Sequence, residues 1–139
     1  MRFVSIALLI LGVSGCASTP AYNPMQMATQ QELLLNESGF KAVQDGMTMD
    51  QVHKIMGQEI TIGYEFQSPN YKPLIISNPY KSETIKEGDY VIEYYIGSIR
   101  QPDGIVSDNE LMPLIFKSGK LIGRGWPQLN SLRPAKPSA

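Results

Sequence analysis

The sequence is poor in the residues that build metal and catalytic sites. It has one cysteine and one histidine among 139 residues. A single cysteine excludes an internal disulfide. A single histidine excludes zinc sites that need several imidazoles, and it leaves little capacity for acid–base catalysis. The chain also has no excess of positive charge, because 12 basic and 13 acidic side chains give a net charge of −1. We therefore predict no nucleic-acid partner, since such a partner requires a basic face.

No motif arranges serine, aspartate or glutamate for catalysis, although a nucleophile and its base must lie within hydrogen-bond reach. Asp103, Asp108 and Glu110 raise the question of calcium, but their spacing does not match an EF-hand loop. We interpret residues 100–110 as a solvated polar loop. The sequence therefore predicts a protein that is not an enzyme, with no metal, no cofactor and no small-molecule substrate.

The first 15 residues have the features of an export signal. Arg2 precedes an apolar run over residues 3–13. This run is too short to span a bilayer, which takes about 20 apolar residues. It ends in Val13-Ser14-Gly15-Cys16, which resembles the lipobox of bacterial lipoproteins. The resemblance implies cleavage before Cys16 and lipid attachment there, and two or more acyl chains make a stable anchor. The alternative is an ordinary secretory signal with a chance cysteine.

The residue after the cysteine is Ala17 rather than aspartate. By the same resemblance, this implies the outer membrane, with the domain facing the periplasm. We predict a tether over residues 16–29, which are rich in proline and small polar residues. A folded domain then occupies residues 30–127. A flexible tail follows over residues 128–139, where prolines interrupt regular structure.

The best-defined local feature is a capped helix junction, which comprises Gly46, Met47, Thr48, Gln51, Val52 and Gly57. Thr48 and Gln51 have the spacing of a capping box. The two glycines suit the backbone conformations at which helices end. The pattern predicts one helix over residues 30–44, in which Ser38-Gly39 allows a break, and a second over residues 49–56. On the second helix, we place His53 on the solvated face.

Strands are predicted to follow the helices, because apolar and polar residues alternate with period two. The predicted strands cover residues 60–66, 89–97, 111–117 and 120–126. Tyr94 and Tyr95 are predicted to lie on opposite faces of the second strand. The last two are joined across Ser118-Gly119, a good hairpin turn. We interpret residues 67–86 as a turn-rich connection with at most one short strand. The sequence therefore predicts an α+β fold, in which two N-terminal helices pack on one face of a three- to four-stranded antiparallel meander sheet.

Aromatic residues of the sheet and its loops are the candidates for a binding surface. They are Tyr71, Tyr90, Tyr94, Tyr95 and Trp126. The single tryptophan either seals the end of the core or stands at an interface, where tryptophan is enriched.

The helix junction resembles a known family. Gly46-Met47-Thr48, Gln51-Val52 and the closing Ile55-Met56-Gly57 are similar to the SmpA/OmlA (BamE-like) domain of outer-membrane lipoproteins. Residues 110–126 also resemble small lipoproteins of a related uncharacterised family. The resemblance implies two helices on an antiparallel sheet. It also implies a binding or scaffolding lipoprotein for envelope proteins, with outer-membrane assembly or integrity as the expected setting.

A second class of function is open at this point. The same arrangement of helices and sheet looks like the half-domain of a β-lactamase inhibitor protein, which implies an inhibitor or sensor domain. A concave sheet that exposes Tyr90, Tyr94 or Tyr95 would favour this alternative. Burial of these tyrosines would count against it.

The capping box generates a stability prediction. We expect Thr48→Ala to lower the free energy of unfolding by about 1 kcal/mol, because one helix N–H loses its side-chain acceptor. Chemical unfolding measures this change. Partner binding should be unchanged in the folded variant, and a folded variant that no longer binds would contradict a purely structural role for the junction.

Overall fold

The computed structural model describes residues 24–100 and 104–133. These residues form three α-helices, six strands and a short 3-10 helix over Asp108–Glu110. The α-helices and strands follow the order α1 Pro24–Ala42, α2 Met49–Met56, β1 Glu59–Gln67, β2 Asn70–Ser77, β3 Lys81–Ile85, β4 Tyr90–Ile96, β5 Leu111–Lys117, β6 Lys120–Arg124 and α3 Trp126–Leu132. The predicted signal peptide, Cys16 and the first part of the predicted tether lie outside the described residues.

The main sheet is an antiparallel meander in the order β3-β4-β5-β6. It lies after two N-terminal helices, so the predicted fold class is confirmed. The prediction missed a separate two-stranded antiparallel sheet, in which β1 pairs with β2. Residues 67–86, which we interpreted as a connection, contain both β2 and β3. These two strands are largely exposed, so they lack the alternation that marks a half-buried strand.

Strand β4 is covered on both of its faces. Ile92, Tyr94 and Ile96 belong to one apolar cluster, which also contains Ile60 and Ile62 of β1 and Leu129 of α3. Its opposite face belongs to a second cluster with α2 and the end of α1, formed by Val43, Val52, Met56, Tyr95, Leu114, Phe116 and Leu121. The predicted alternation along β4 is confirmed, and the sheet lies inside the molecule rather than at its surface.

The predicted helix junction is confirmed. The Gln51 amide donates to Thr48 Oγ1 at 3.2 Å, and the Thr48 amide donates to Gln51 Oε1 at 2.9 Å. The junction also pairs with the sheet, because the Gly46 amide donates to the Leu121 carbonyl and the Leu121 amide donates to the Met47 carbonyl. The turn before α2 therefore covers the outer edge of β6.

Helix α1 begins at Pro24, six residues before the predicted start and inside the predicted tether. Proline is favoured in the first turn of a helix, so a residue that we interpreted as a turn signal begins the helix instead. The helix continues through Gly39, where a Cβ atom would lie 2.7 Å from Met56 Sδ. Glycine at this position lets α1 and α2 approach each other closely.

The C-terminal end of α1 is held by a residue from the far end of the domain. The guanidinium group of Arg124, on β6, donates to the carbonyl oxygens of Phe40 at 2.5 Å and Val43 at 2.6 Å. A cation at a helix C-terminus also interacts favourably with the helix dipole. These bonds connect the first helix to the last strand.

The prediction of a flexible tail from residue 128 is wrong for its first part. Helix α3 covers Trp126–Leu132, with Pro127 in its first turn, and Leu129 is fully buried. Its start follows the same rule as that of α1, because proline is tolerated where the helix N–H has no intrahelical partner. Residues 134–139 lie outside the described residues.

Burial of Leu129 generates a prediction. We expect Leu129→Ala to lower the free energy of unfolding by about 2–5 kcal/mol, because it leaves a cavity beside the main sheet. The neighbouring exposed Asn130 is the matched control, and Asn130→Ala should change stability little. Chemical unfolding of both variants measures the difference. Equal stability of the two variants would show that α3 does not contribute to the core.

Candidate functional site

Two of the tyrosines predicted to form a binding surface are buried. Tyr94 is 2% exposed and Tyr95 is fully buried, so this part of the prediction is wrong. Both faces of their strand are covered, and an alternating pattern does not reveal whether its second face is solvated. Tyr90 is half-buried with Lys117 Nζ 5.2 Å from its ring. Only Tyr71 of the predicted tyrosines is well exposed.

Trp126 packs at the end of the core, which is the first of the two roles predicted for it; the other was a place at an interface. Its Nε1 donates to the Leu111 carbonyl at 2.9 Å. Its ring lies 5.6 Å from the ring of Tyr94. The side chain is half-buried between α3 and the main sheet.

The Tyr94 hydroxyl lies in a polar cluster that joins β3, β4 and the end of α3. It donates to Glu83 Oε1 at 2.7 Å and accepts from Arg133 Nη2 at 2.9 Å, while Arg133 also donates to Glu83. Burial, followed by the Glu83 carboxylate, raises the pKa of Tyr94. Burial also raises the pKa of Glu83, but the hydrogen bonds from Tyr94 and Arg133 outweigh it, so the pKa of Glu83 lies below its ordinary value.

The His53 side chain is 37% exposed, but it is not free in solvent as the helix pattern predicted. Its Nε2 lies 2.8 and 3.0 Å from the two carboxyl oxygens of Glu93, which is 3% exposed. The Tyr95 hydroxyl donates to Glu93 Oε2 at 2.8 Å. Burial, followed by the Glu93 charge, raises the pKa of Tyr95. Sequence reasoning missed this contact, although Glu93 indicated it. A carboxyl group within an apolar strand needs hydrogen-bond partners when it is buried.

Glu110 is also buried, although we interpreted its loop as solvated. Its carboxylate accepts from the Arg100 amide at 2.7 Å and from the Ser107 amide and hydroxyl at 2.9 Å. Asp103 lies outside the described residues. Among residues 24–100 and 104–133, no group of three histidine, cysteine, aspartate or glutamate side chains could hold a metal ion.

Two exposed apolar surfaces are the candidates for binding. The first, the helix groove, has a volume of about 500 Å³ and lies between α1, α2 and the start of β1. Leu35 and Ile55 line it and are 62% and 38% exposed. Its polar lining includes Asn36, Lys54 and Glu59. The next residue on α1, Leu34, is 60% exposed and lines a different hollow of about 330 Å³.

Two buried amides connect the elements that line the helix groove. Asn36 Nδ2 donates to the Ile96 carbonyl at 2.7 Å, and Asn78 Nδ2 donates to Asn36 Oδ1 at 3.0 Å. Asn78 Nδ2 also lies 2.8 Å from the Met56 carbonyl. These bonds connect α1 and the end of α2 to the main sheet. The two helices that line the groove are therefore held in a fixed position by the folded core.

The second surface, the hairpin strip, lies on one face of the β1–β2 hairpin. It comprises Tyr64, Phe66, Tyr71, Pro73 and Ile75. Tyr64 is paired with Pro73 and Phe66 with Tyr71, so these side chains share a face. The Phe66 and Tyr71 rings are 5.0 Å apart. Phe66, Tyr71 and Ile75 are 60%, 52% and 53% exposed.

A β-bulge explains why the sequence pattern missed this strip. The alternation predicts that Ile60, Ile62, Tyr64 and Phe66 share a face. The register shifts between Thr61 and Gly63, and one extra residue moves the following side chains to the opposite face. Ile60 therefore enters the core, whereas Phe66 points outward.

No family model matches the chain, and neither a curated protein nor a solved structure matches it. The similarity to the SmpA/OmlA domain therefore stays a prediction that rests on the helix junction. Within the described residues, no helix combines the length and the apolar character needed to cross a membrane.

The polar cluster generates a pH prediction. The folded-state pKa of Glu83 lies below its ordinary value of 4.5, so the ionised carboxylate stabilises the fold above that pH. This contribution is lost as the pH falls through the folded-state pKa. We expect Glu83→Gln to lower the free energy of unfolding at neutral pH, and the difference from wild type to shrink in acid. Urea unfolding across this pH range measures it.

The exposed Glu87 provides the control, and Glu87→Gln should change stability little at either end of the pH range. A Glu83→Gln variant that loses the same stability in acid as at neutral pH would contradict the role of the ionised carboxylate.

Proposed function

We propose that this protein is a periplasm-facing lipoprotein of the outer membrane, which binds or scaffolds envelope proteins and is not an enzyme. The lipobox ending at Cys16 supports the anchor. The helix groove supports protein binding, and it is the observation that carries the proposal. Outer-membrane assembly or integrity is the setting implied by the resemblance of the helix junction.

The groove has the form of a protein-docking surface. Leu35 and Ile55 stand on its two helical walls, and both expose apolar surface to solvent. Lys54 and Glu59 provide one cation and one anion in the same lining. An apolar centre with a polar rim is typical of interfaces at which a few inserted side chains supply most of the affinity. The partner would therefore insert apolar side chains between α1 and α2.

The single histidine of the chain, His53, makes a structural contact. Histidine is the usual general base in enzymes. Here His53 Nε2 is bonded to the buried Glu93 carboxyl group, beneath α2. This contact supports a role in holding α2 on the sheet.

The inhibitor or sensor alternative loses its main support. It required a concave sheet that displays tyrosines. Tyr94 and Tyr95 are instead buried on opposite faces of β4, one beneath α3 and β1 and the other beneath the helices. The helix groove is not part of that sheet surface.

Adjacent leucines on α1 allow a sharp test of the groove. Leu35 lines the helix groove, whereas Leu34 is equally exposed but lines the other hollow. We expect Leu35→Glu to abolish recovery of the partner when the full lipidated protein is captured from solubilised envelopes and analysed by mass spectrometry. Leu34→Glu introduces the same charge one residue away and should leave recovery unchanged. Both substitutions suit an exposed helical position.

Equal loss of the partner in both variants would place the interface elsewhere on α1. If no envelope protein is reproducibly recovered with the wild-type chain, the proposed function itself is wrong. Circular dichroism of both variants verifies that α1 is retained.

A further inference from the structure

We propose that the hairpin strip lies in the interfacial layer of the membrane that holds the lipid at Cys16. It would form a second, non-covalent contact between the domain and the bilayer. This inference rests on the lipid attachment proposed above, but it concerns a different surface from the helix groove.

The chemistry of the strip suits a lipid interface. Its five residues are aromatic, aliphatic or proline, and none is charged. Glu65 and Lys72 are paired on the opposite face of the same hairpin. Tyrosine combines an apolar ring with a polar hydroxyl, and it is enriched where hydrocarbon meets headgroups. An uncharged aromatic face can therefore enter this layer without burying a charge.

The size of the strip favours a membrane over a second copy of the chain. Aromatic side chains bury roughly 150–250 Å² each. Phe66 and Tyr71 are 60% and 52% exposed, so the two rings together offer roughly 200 Å². At the same exposed fraction, all five side chains of the strip offer at most roughly 500 Å². A stable protein complex needs roughly 800 Å² per partner. A surface that is already held next to the bilayer needs much less, because the tether raises the effective concentration of the contact.

The free edge of β2 is poorly suited to an added strand. Pro73 lies within β2 and has no backbone N–H to donate to a ladder. Proline on an edge strand discourages pairing with another chain. On the β2 side, the exposed face of the hairpin is therefore a better contact surface than the edge.

The position of the lipidated cysteine places the domain within reach of the bilayer. Cys16 lies eight residues before Pro24, the first residue of α1. Eight extended residues span at most about 28 Å. Strand β1, with nine residues, is about 30 Å long. The link from Cys16 to Pro24 is thus no longer than the hairpin itself, and it keeps the domain close to the surface to which the chain is attached.

The hairpin is fixed to the domain at its base. Ile60 of β1 is buried in the core, and Leu74 and Ile76 of β2 pack against the same cluster. The Asn78 amide donates to the Gln58 carbonyl at 2.8 Å and closes the base of the hairpin. The domain therefore presents the strip in one orientation relative to α1, with which β1 is in contact.

Tryptophan fluorescence tests the proposal. The full lipidated protein carrying Phe66→Trp is reconstituted in vesicles of phosphatidylethanolamine and phosphatidylglycerol that contain a brominated phospholipid. We expect the added tryptophan to lose most of its emission to the brominated lipid and to be shielded from aqueous iodide. The wild-type chain, with only the half-buried Trp126, gives the baseline. Thr84→Trp, on the exposed strand β3, is the matched control and should be quenched by iodide alone.

Each other outcome overturns the proposal in a different way. If the protein floats with the vesicles but Phe66→Trp is quenched only by iodide, the anchor stands and the membrane contact is wrong. If the strip becomes shielded from iodide only when envelope proteins are added, without quenching by brominated lipid, its partner is a protein. If the protein does not float, both the anchor and this contact are wrong. Tyr71→Trp repeats the test at the paired position.

Discussion

The buried carboxyl group of Glu93 imposes a constraint on which the surrounding structure depends. A polar group in the interior must be hydrogen-bonded, because leaving it unsatisfied costs about 1–3 kcal/mol or more. Its partners here are Tyr95 on the same strand and His53 on α2. The carboxyl group therefore fixes α2 over one face of β4. Once α2 is fixed, the helix groove beside α1 is fixed with it.

The two exposed apolar surfaces occupy different parts of the domain and differ in chemistry. The helix groove is concave, and a cation and an anion lie in its lining. The hairpin strip is uncharged and aromatic, with Phe66 and Tyr71 facing solvent. This difference is the reason for proposing different partners, a protein for the groove and the lipid interface for the strip. An anchored protein with both surfaces would hold its partner at a defined place beside the bilayer.

Residues far apart in sequence hold this arrangement together. Arg124 caps the end of α1 from the last strand, and the Gly46 turn pairs with β6. Sequence patterns could not indicate either contact, because both depend on where distant segments meet. The same limit explains the error at Tyr94 and Tyr95. Alternation correctly placed them on opposite faces of β4, but only the packed structure shows that both faces are covered.

The sequence by itself determined the local features, namely the capping box of Thr48 and Gln51, the α2 boundaries, the alternation along β4 and the α+β class. These depend on neighbouring residues, whose spacing is fixed by helix and strand geometry. Tertiary structure decided which side chains remain exposed. The bulge after Thr61 turned Phe66 outward, and Leu129 entered the core from a segment that resembles a tail. The exposure of a side chain depends on which distant segments pack against it, so the two candidate binding surfaces could be identified only from the folded structure.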